Sequence, residues 1–228
     1  MKKQDFIFIV CCILFFAPFF IVEPIRNLFL EYSSYKDWHA IVMAFLKFGI
    51  LATLGEIIGL RIQKGVYFQK GFGVLPRAIV WGFLGIGISI AMTLFSIGTP
   101  AFLANLGVNI AATDFFTRLL IAFCISVAMN TIFAPVFMTF HKITDMHILQ
   151  TGGTLKGFLS KGINMSQSFK NINWDVQWNF VFKKTIPFFW YPAHTITFML
   201  PGELRVLFAA LLGVALGVIL SIANMKKK

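Results

Sequence analysis

The sequence predicts an all-α fold: a polytopic membrane helical bundle of six transmembrane helices with both termini inside. Three observations carry this. The 228-residue chain is 58% hydrophobic with a mean hydropathy of +0.80, which no ordinary soluble domain matches. Apolar runs approaching the roughly 20 residues that span a bilayer recur along its whole length. The bases that give a net charge of +11 gather in alternate connectors, as basic loops retained on the inner side of a membrane do. Lipid offers no hydrogen bonds, so the spans are expected to be helices. Together they make one integral membrane domain, residues 1–228, with no soluble module.

The first span is expected at about residues 6–22. It follows Lys2 and Lys3 and carries Pro18 near its outer end. Ala17-Pro18-Phe19 offers no small-x-small cleavage site, so this is read as a span and not a signal peptide. A polar connector, 23–37, holds Glu23, Glu31 and Asp37. The second span, 38–60, leads into Arg61, Lys64, Lys70 and Arg77 with no acid between them. The third, 76–103, is rich in glycine, which permits close helix approach. The fourth, 115–140, contains Asn130 and Pro135. The long connector 141–184 is glycine-rich at first and ends with Trp174 and Trp178, suited to a membrane interface. The fifth span, 181–200, is interrupted by Pro187 and Pro192, where a kink is expected. The sixth, 203–223, ends in Lys226, Lys227 and Lys228.

An acid stands inside the second span. On a helix, Gly49, Ala52, Thr53, Glu56, Gly59 and Gln63 share one face. A carboxylate on a small, polar stripe faces other helices or water, because facing lipid would cost kilocalories. It marks a pathway or simply knits helices together; small-polar stripes serve both. Lys47, Asn130 and His194 also lie at membrane depth, and Arg205 lies just inside the sixth span. Lys47 projects to the side of its helix opposite Glu56, too deep to reach the outer surface. In a pathway it would favour anions. His194 is expected in a wet break beside Pro192, or hydrogen-bonded within the core.

Several of these segments occur in a telling order. Gly49-Ile-Leu-Ala-Thr-Leu-Gly55-Glu56 comes first, then Pro76-Arg77 opening a glycine-rich helix. Phe133-Ala134-Pro135, Tyr191-Pro192-Ala193 and Pro201-x-x-x-Arg205 follow. The series resembles the Mpv-seventeen/peroxisomal membrane protein twenty-two family over about residues 45–221, with Glu56 where the family has Asp. Met129-Asn130 stands in place of its Asp-Gln pair, and its third-span Gly-Pro and Trp-Tyr element is absent. That pattern resembles a distant bacterial relative more than an orthologue of the organelle members. The resemblance implies a channel-like role for small solutes and leaves the cargo open.

Other constellations point to little chemistry. His141, Asp145 and His147 supply metal-ligand types, but His147 falls off the face of the other two. They are read as solvated interfacial groups, so no metal is expected. Thr151-Gly-Gly-Thr154 lacks the context of a phosphate loop. Asp114 and Arg118 are spaced for a local ion pair. Cys11, Cys12 and Cys124 have no disulfide or metal spacing. No catalytic set appears, so no enzyme and no cofactor is expected. The function expected is a membrane channel or facilitative pore for small polar solutes or ions. The alternative is a non-transporting membrane assembly or organising protein. The partners expected are the lipid bilayer, an unspecified solute or ion and no nucleic acid, with a homo-oligomer left open. The location expected is the cytoplasmic (inner) membrane, or an organelle membrane in a eukaryote.

Overall fold

A computed structural model describes residues 3–31 and 38–225. Lys2, Lys36, Asp37 and the terminal lysines 226–228, used in the charge argument, lie outside the described residues. Every regular element among the described residues is helical.

The chain opens with α1 (Lys3–Phe16), α2 (Pro18–Ile21) and α3 (Glu23–Glu31). Pro18 has no N–H to offer the preceding turn, so α1 stops at Phe16. At about 1.5 Å per residue the 14 residues of α1 rise only about 21 Å. The polar connector is itself helical over α3.

Among the described residues three helices are long and apolar enough to cross a membrane: α4 (Trp38–Lys64), α5 (Val74–Asn105) and α6 (Phe115–Ile132). The remaining elements are α7 (Ala134–Gln150), α8 (Leu155–Ser160), α9 (Met165–Asn171) and α10 (Trp174–Val176). A π-helix (Gln177–Trp190), α11 (Tyr191–Met199) and α12 (Gly202–Met225) follow. α12 carries a further apolar stretch, Leu204–Ile219, among the described residues.

Two expected boundaries move. The fourth span divides at Phe133 ahead of Pro135, into α6 and α7, and α7 runs on to Gln150. Residues 141–150 are therefore helix and not loop. The fifth span starts early, at Gln177, and winds as a π-helix before tightening to an α-helix at Tyr191. The Tyr191 N–H reaches Ile186 O, five residues back. The wider winding accommodates Pro187, which has no N–H to give.

Asp114 and Arg118 do not pair as expected. The Asp114 carboxylate instead accepts the Thr117 N–H at 2.9 Å and caps α6. That N–H also holds the Asp114 carboxyl below the usual carboxylate range.

α4 is the central helix, packed on α5 and α12; α6 packs on α5 and α11. The core joins Phe48 and Leu51 of α4, Met92 of α5, Ile125 and Met129 of α6, and Phe198 of α11. Phe83, Phe116 and Phe188 point outward, 65%, 79% and 80% exposed. Large side chains outside and small ones at the helix contacts suit a bundle dissolved in hydrocarbon.

Two loops meet back to back at one end. Gly73 precedes α5 with φ +77°, and a Cβ there would lie 3.0 Å from Gly153 Cα. Only glycine meets both demands. Gly73→Ala is expected to lower stability by roughly 1–3 kcal/mol, from strain plus overpacking. Thermal unfolding of the purified variant measures it; an unchanged midpoint would show that the loops separate freely.

Candidate functional site

Glu56 sits toward the C-terminal end of α4, and its carboxylate is surrounded. Arg77 Nη1 donates to Oε2 at 2.5 Å, Trp81 Nε1 donates to Oε1 at 2.8 Å, and His141 Nε2 lies 3.4 Å from Oε1. Arg77 extends the network. Its Nη2 pairs with Asp145 Oδ1, its Nε donates to Phe72 O at 2.7 Å, and its guanidinium lies over the Phe72 ring. Lys142 Nζ stands 3.8 Å from the second Asp145 oxygen. The planar guanidinium fork suits two carboxylates at once.

Three helices build this cluster. Pro76 opens α5 and places Arg77 in its first turns. The backbone Arg77 N–H donates to Gly73 O at 3.0 Å and closes the turn there. The spacing of His141 and Asp145 puts both on the α7 face that meets α4 and α5. His147 turns elsewhere, with Nε2 3.2 Å from Phe158 O. The three candidate metal ligands of α7 therefore do not converge.

A second polar group lies deeper. Asn130 Nδ2 donates to Ser126 O at 2.8 Å, and its amide meets His194 Nδ1 at 2.9–3.0 Å. Ser126 Oγ donates to Tyr191 O at 2.8 Å. Trp190 packs against His194, with ring centroids 4.9 Å apart. Asn130 and His194 are 2% and 7% exposed. Of the two environments open to His194, the hydrogen-bonded core is the one it occupies.

Between the two groups lies a cavity of about 310 Å³. Glu56, His141 and Gln177 bound it on one side, Asn130, Trp190 and His194 on another. The rest of its wall is mainly hydrocarbon, from residues such as Phe48, Met129 and Phe137.

Of the stripe and span residues, Ala52, Glu56, Asn130 and His194 line this cavity. Lys47 is 3% exposed and is not on the cavity wall. Thr53 is buried with no hydrogen-bond partner for its hydroxyl. Gly49 and Gly59 are buried, and Gly49 lies against α5 at Ala78 and Gly82. Gln63 is exposed. Arg205 lines a separate cavity of about 430 Å³ with Arg118. Its guanidinium donates to Leu200 O and Phe198 O, both at 3.0 Å. A cation on the last carbonyls of α11 is favourably placed.

Sequence reasoning missed Arg77, Trp81, Asp145, Gln177 and Trp190 as members of the site. The charge pattern places Arg77 among the bases flanking the third span, and Asp145 reads as a solvated interfacial group beside His141. The signal that was available is topological: a hairpin of α4 and α5 brings an acid and a base on either side of its turn to the same depth. No protein family, no characterised protein and no solved structure matches this chain.

Proposed function

We propose that the protein is a membrane channel or facilitative pore for small polar solutes or ions, with the central cavity as part of its pathway. The observation that carries this reading is the cavity itself: a partly open space in the bundle, with polar groups at two depths. Its hydrocarbon wall would exclude water in the arrangement described, so this arrangement is read as the closed one. The motif order that resembles the Mpv-seventeen family supports the same reading.

Flux into liposomes tests it. Purified protein should pass glycerol, chloride or potassium faster than protein-free vesicles do. Phe133→Ser, on the cavity wall, should raise that flux by wetting the route. No flux from either protein would remove the pore reading. It would favour the alternative of a non-transporting assembly protein, which the fully engaged Glu56 carboxylate independently supports.

The proposal includes six spans with both termini inside, in a cytoplasmic membrane. Asp5 supports the side of the N-terminus: it accepts from Arg61 Nε at 2.7 Å and from the Tyr67 hydroxyl at 3.0 Å. Both lie at the α4–α5 turn. At the other end of the chain, Arg205 starts α12 beside the C-terminal part of α5. Gly217 reaches Gly55, near the opposite end of the bundle. In a background without native cysteines, a cysteine at Asn109 should react with an impermeant reagent outside intact cells. Cysteines at Lys70 and Gly157 should not; labelling at Gly157 would sink the topology.

A further inference from the structure

The cavity wall contains two N–H groups with no acceptor among the described residues: Gln177 Nε2 and Trp190 Nε1, both shielded from solvent. Gln177 is only 6% exposed. These are the first and last residues of the π-helix, so the two donors stand at the two ends of one wall. His194 adds a third group, because Nδ1 is engaged by Asn130 and Nε2 makes no protein hydrogen bond.

The cavity's anion is already satisfied. Arg77, Trp81 and His141 occupy the Glu56 carboxylate, and Lys142 faces Asp145. The unspent hydrogen-bonding capacity is therefore mostly that of donors set in hydrocarbon. A buried donor left unpaired is costly, so the site calls for acceptor oxygens. The apolar wall calls for hydrocarbon around them, and a net charge would be poorly solvated there. An enclosed apolar cavity of about 150 Å³ takes a benzene molecule. This one, about 310 Å³, has room for roughly a dozen non-hydrogen atoms on that scale.

We propose that the central cavity is a binding site for a neutral lipophilic carbonyl compound, its oxygen held by one hydrogen bond, from Gln177 at one end of the wall or from Trp190 at the other. The inference goes beyond the pore reading and does not require that any solute cross the membrane.

The test uses the full chain in lipid nanodiscs, with radiolabelled 2-undecanone and undecane as matched probes and empty nanodiscs as the baseline. The ketone should bind saturably, about tenfold more tightly than undecane, the value of one well-placed hydrogen bond. Gln177→Leu or Trp190→Phe, whichever removes the donor that holds the oxygen, should weaken ketone binding about three- to tenfold while leaving undecane unchanged or tighter. Gln177→Met replaces Gln177→Leu if the latter lowers the unfolding midpoint. Ketone uptake that only scales with lipid, or wild-type binding no tighter than that of undecane, overturns the proposal. So does an unchanged ketone-to-undecane ratio in both variants, which would assign the donors to water. Liposome flux is read separately, so a failed pore and a failed ligand site give different results.

Discussion

Arg77→Leu is expected to destabilise the bundle by about 3–5 kcal/mol, the usual cost of removing one partner from a buried charge group. The wild-type arginine side chain is 8% exposed and holds two carboxylates, Glu56 and Asp145, each 19% exposed. Without it, those acids face each other across a space that water reaches poorly, with His141 and Lys142 as the remaining partners. Arg77→Lys should recover only part of the loss. An ammonium carries the charge but cannot reach Glu56, Asp145 and the Phe72 carbonyl with one rigid fork. The triple variant Glu56→Leu/Arg77→Met/Asp145→Leu should regain most of the stability, because breaking a buried group costs far more than replacing it with packed hydrocarbon. Unfolding of the purified proteins in mixed micelles with increasing sodium dodecyl sulfate reads all three. A single Arg77→Leu variant within about 1 kcal/mol of wild type would mean that the cluster is hydrated and contributes as little as a surface pair.

The contrast between Glu56 and its partners shows which parts of the site were legible. An acid amid Ile, Leu and Gly violates the local pattern, so the sequence alone singles it out. Arg77 and Asp145 violate nothing. One sits where inner-side bases belong, and the other follows a histidine at a membrane boundary. Their role depends on which helices meet, which periodicity does not encode. The same limit explains Lys47. Its depth was readable from position in the span, but its side of the bundle depends on how α4 turns between α5 and α12. The π-helix was illegible for a different reason. Pro187 and Pro192 announce an interruption, yet a proline states only that one hydrogen bond is missing, not how the backbone redistributes the rest. Gln177 and Trp190 become interesting only once that winding places them on one cavity wall. By contrast, the long helices α4, α5 and α6 followed directly from apolar length, and the glycine contacts followed from small residues recurring in those helices.

Those glycine contacts carry the second large effect: Gly55→Leu should cost on the order of 1–3 kcal/mol or more by overpacking. A Cβ at Gly55 would stand 2.8 Å from Val214 Cα, which is backbone and cannot rotate aside. On the other face of α4, a Cβ at Gly49 would stand 2.9 Å from the Ala78 carbonyl oxygen. α4 is thus pressed between α5 and α12 through positions that have no side chain. Adding one at Gly55 forces α12, with Gly213 and Gly217, away from Glu56 and opens the cavity wall that they share. Gly55→Ala should already be destabilising, since the first added carbon makes the clash. Gly87→Ala is the control, because a Cβ there meets nothing within 4 Å. It should be neutral or stabilise by up to about 1 kcal/mol, through the better helix propensity of alanine. Micellar unfolding separates the two positions. If Gly55→Ala and Gly87→Ala shift the midpoint equally, helix propensity alone governs both sites, and the close contact between α4 and α12 does not hold the bundle together.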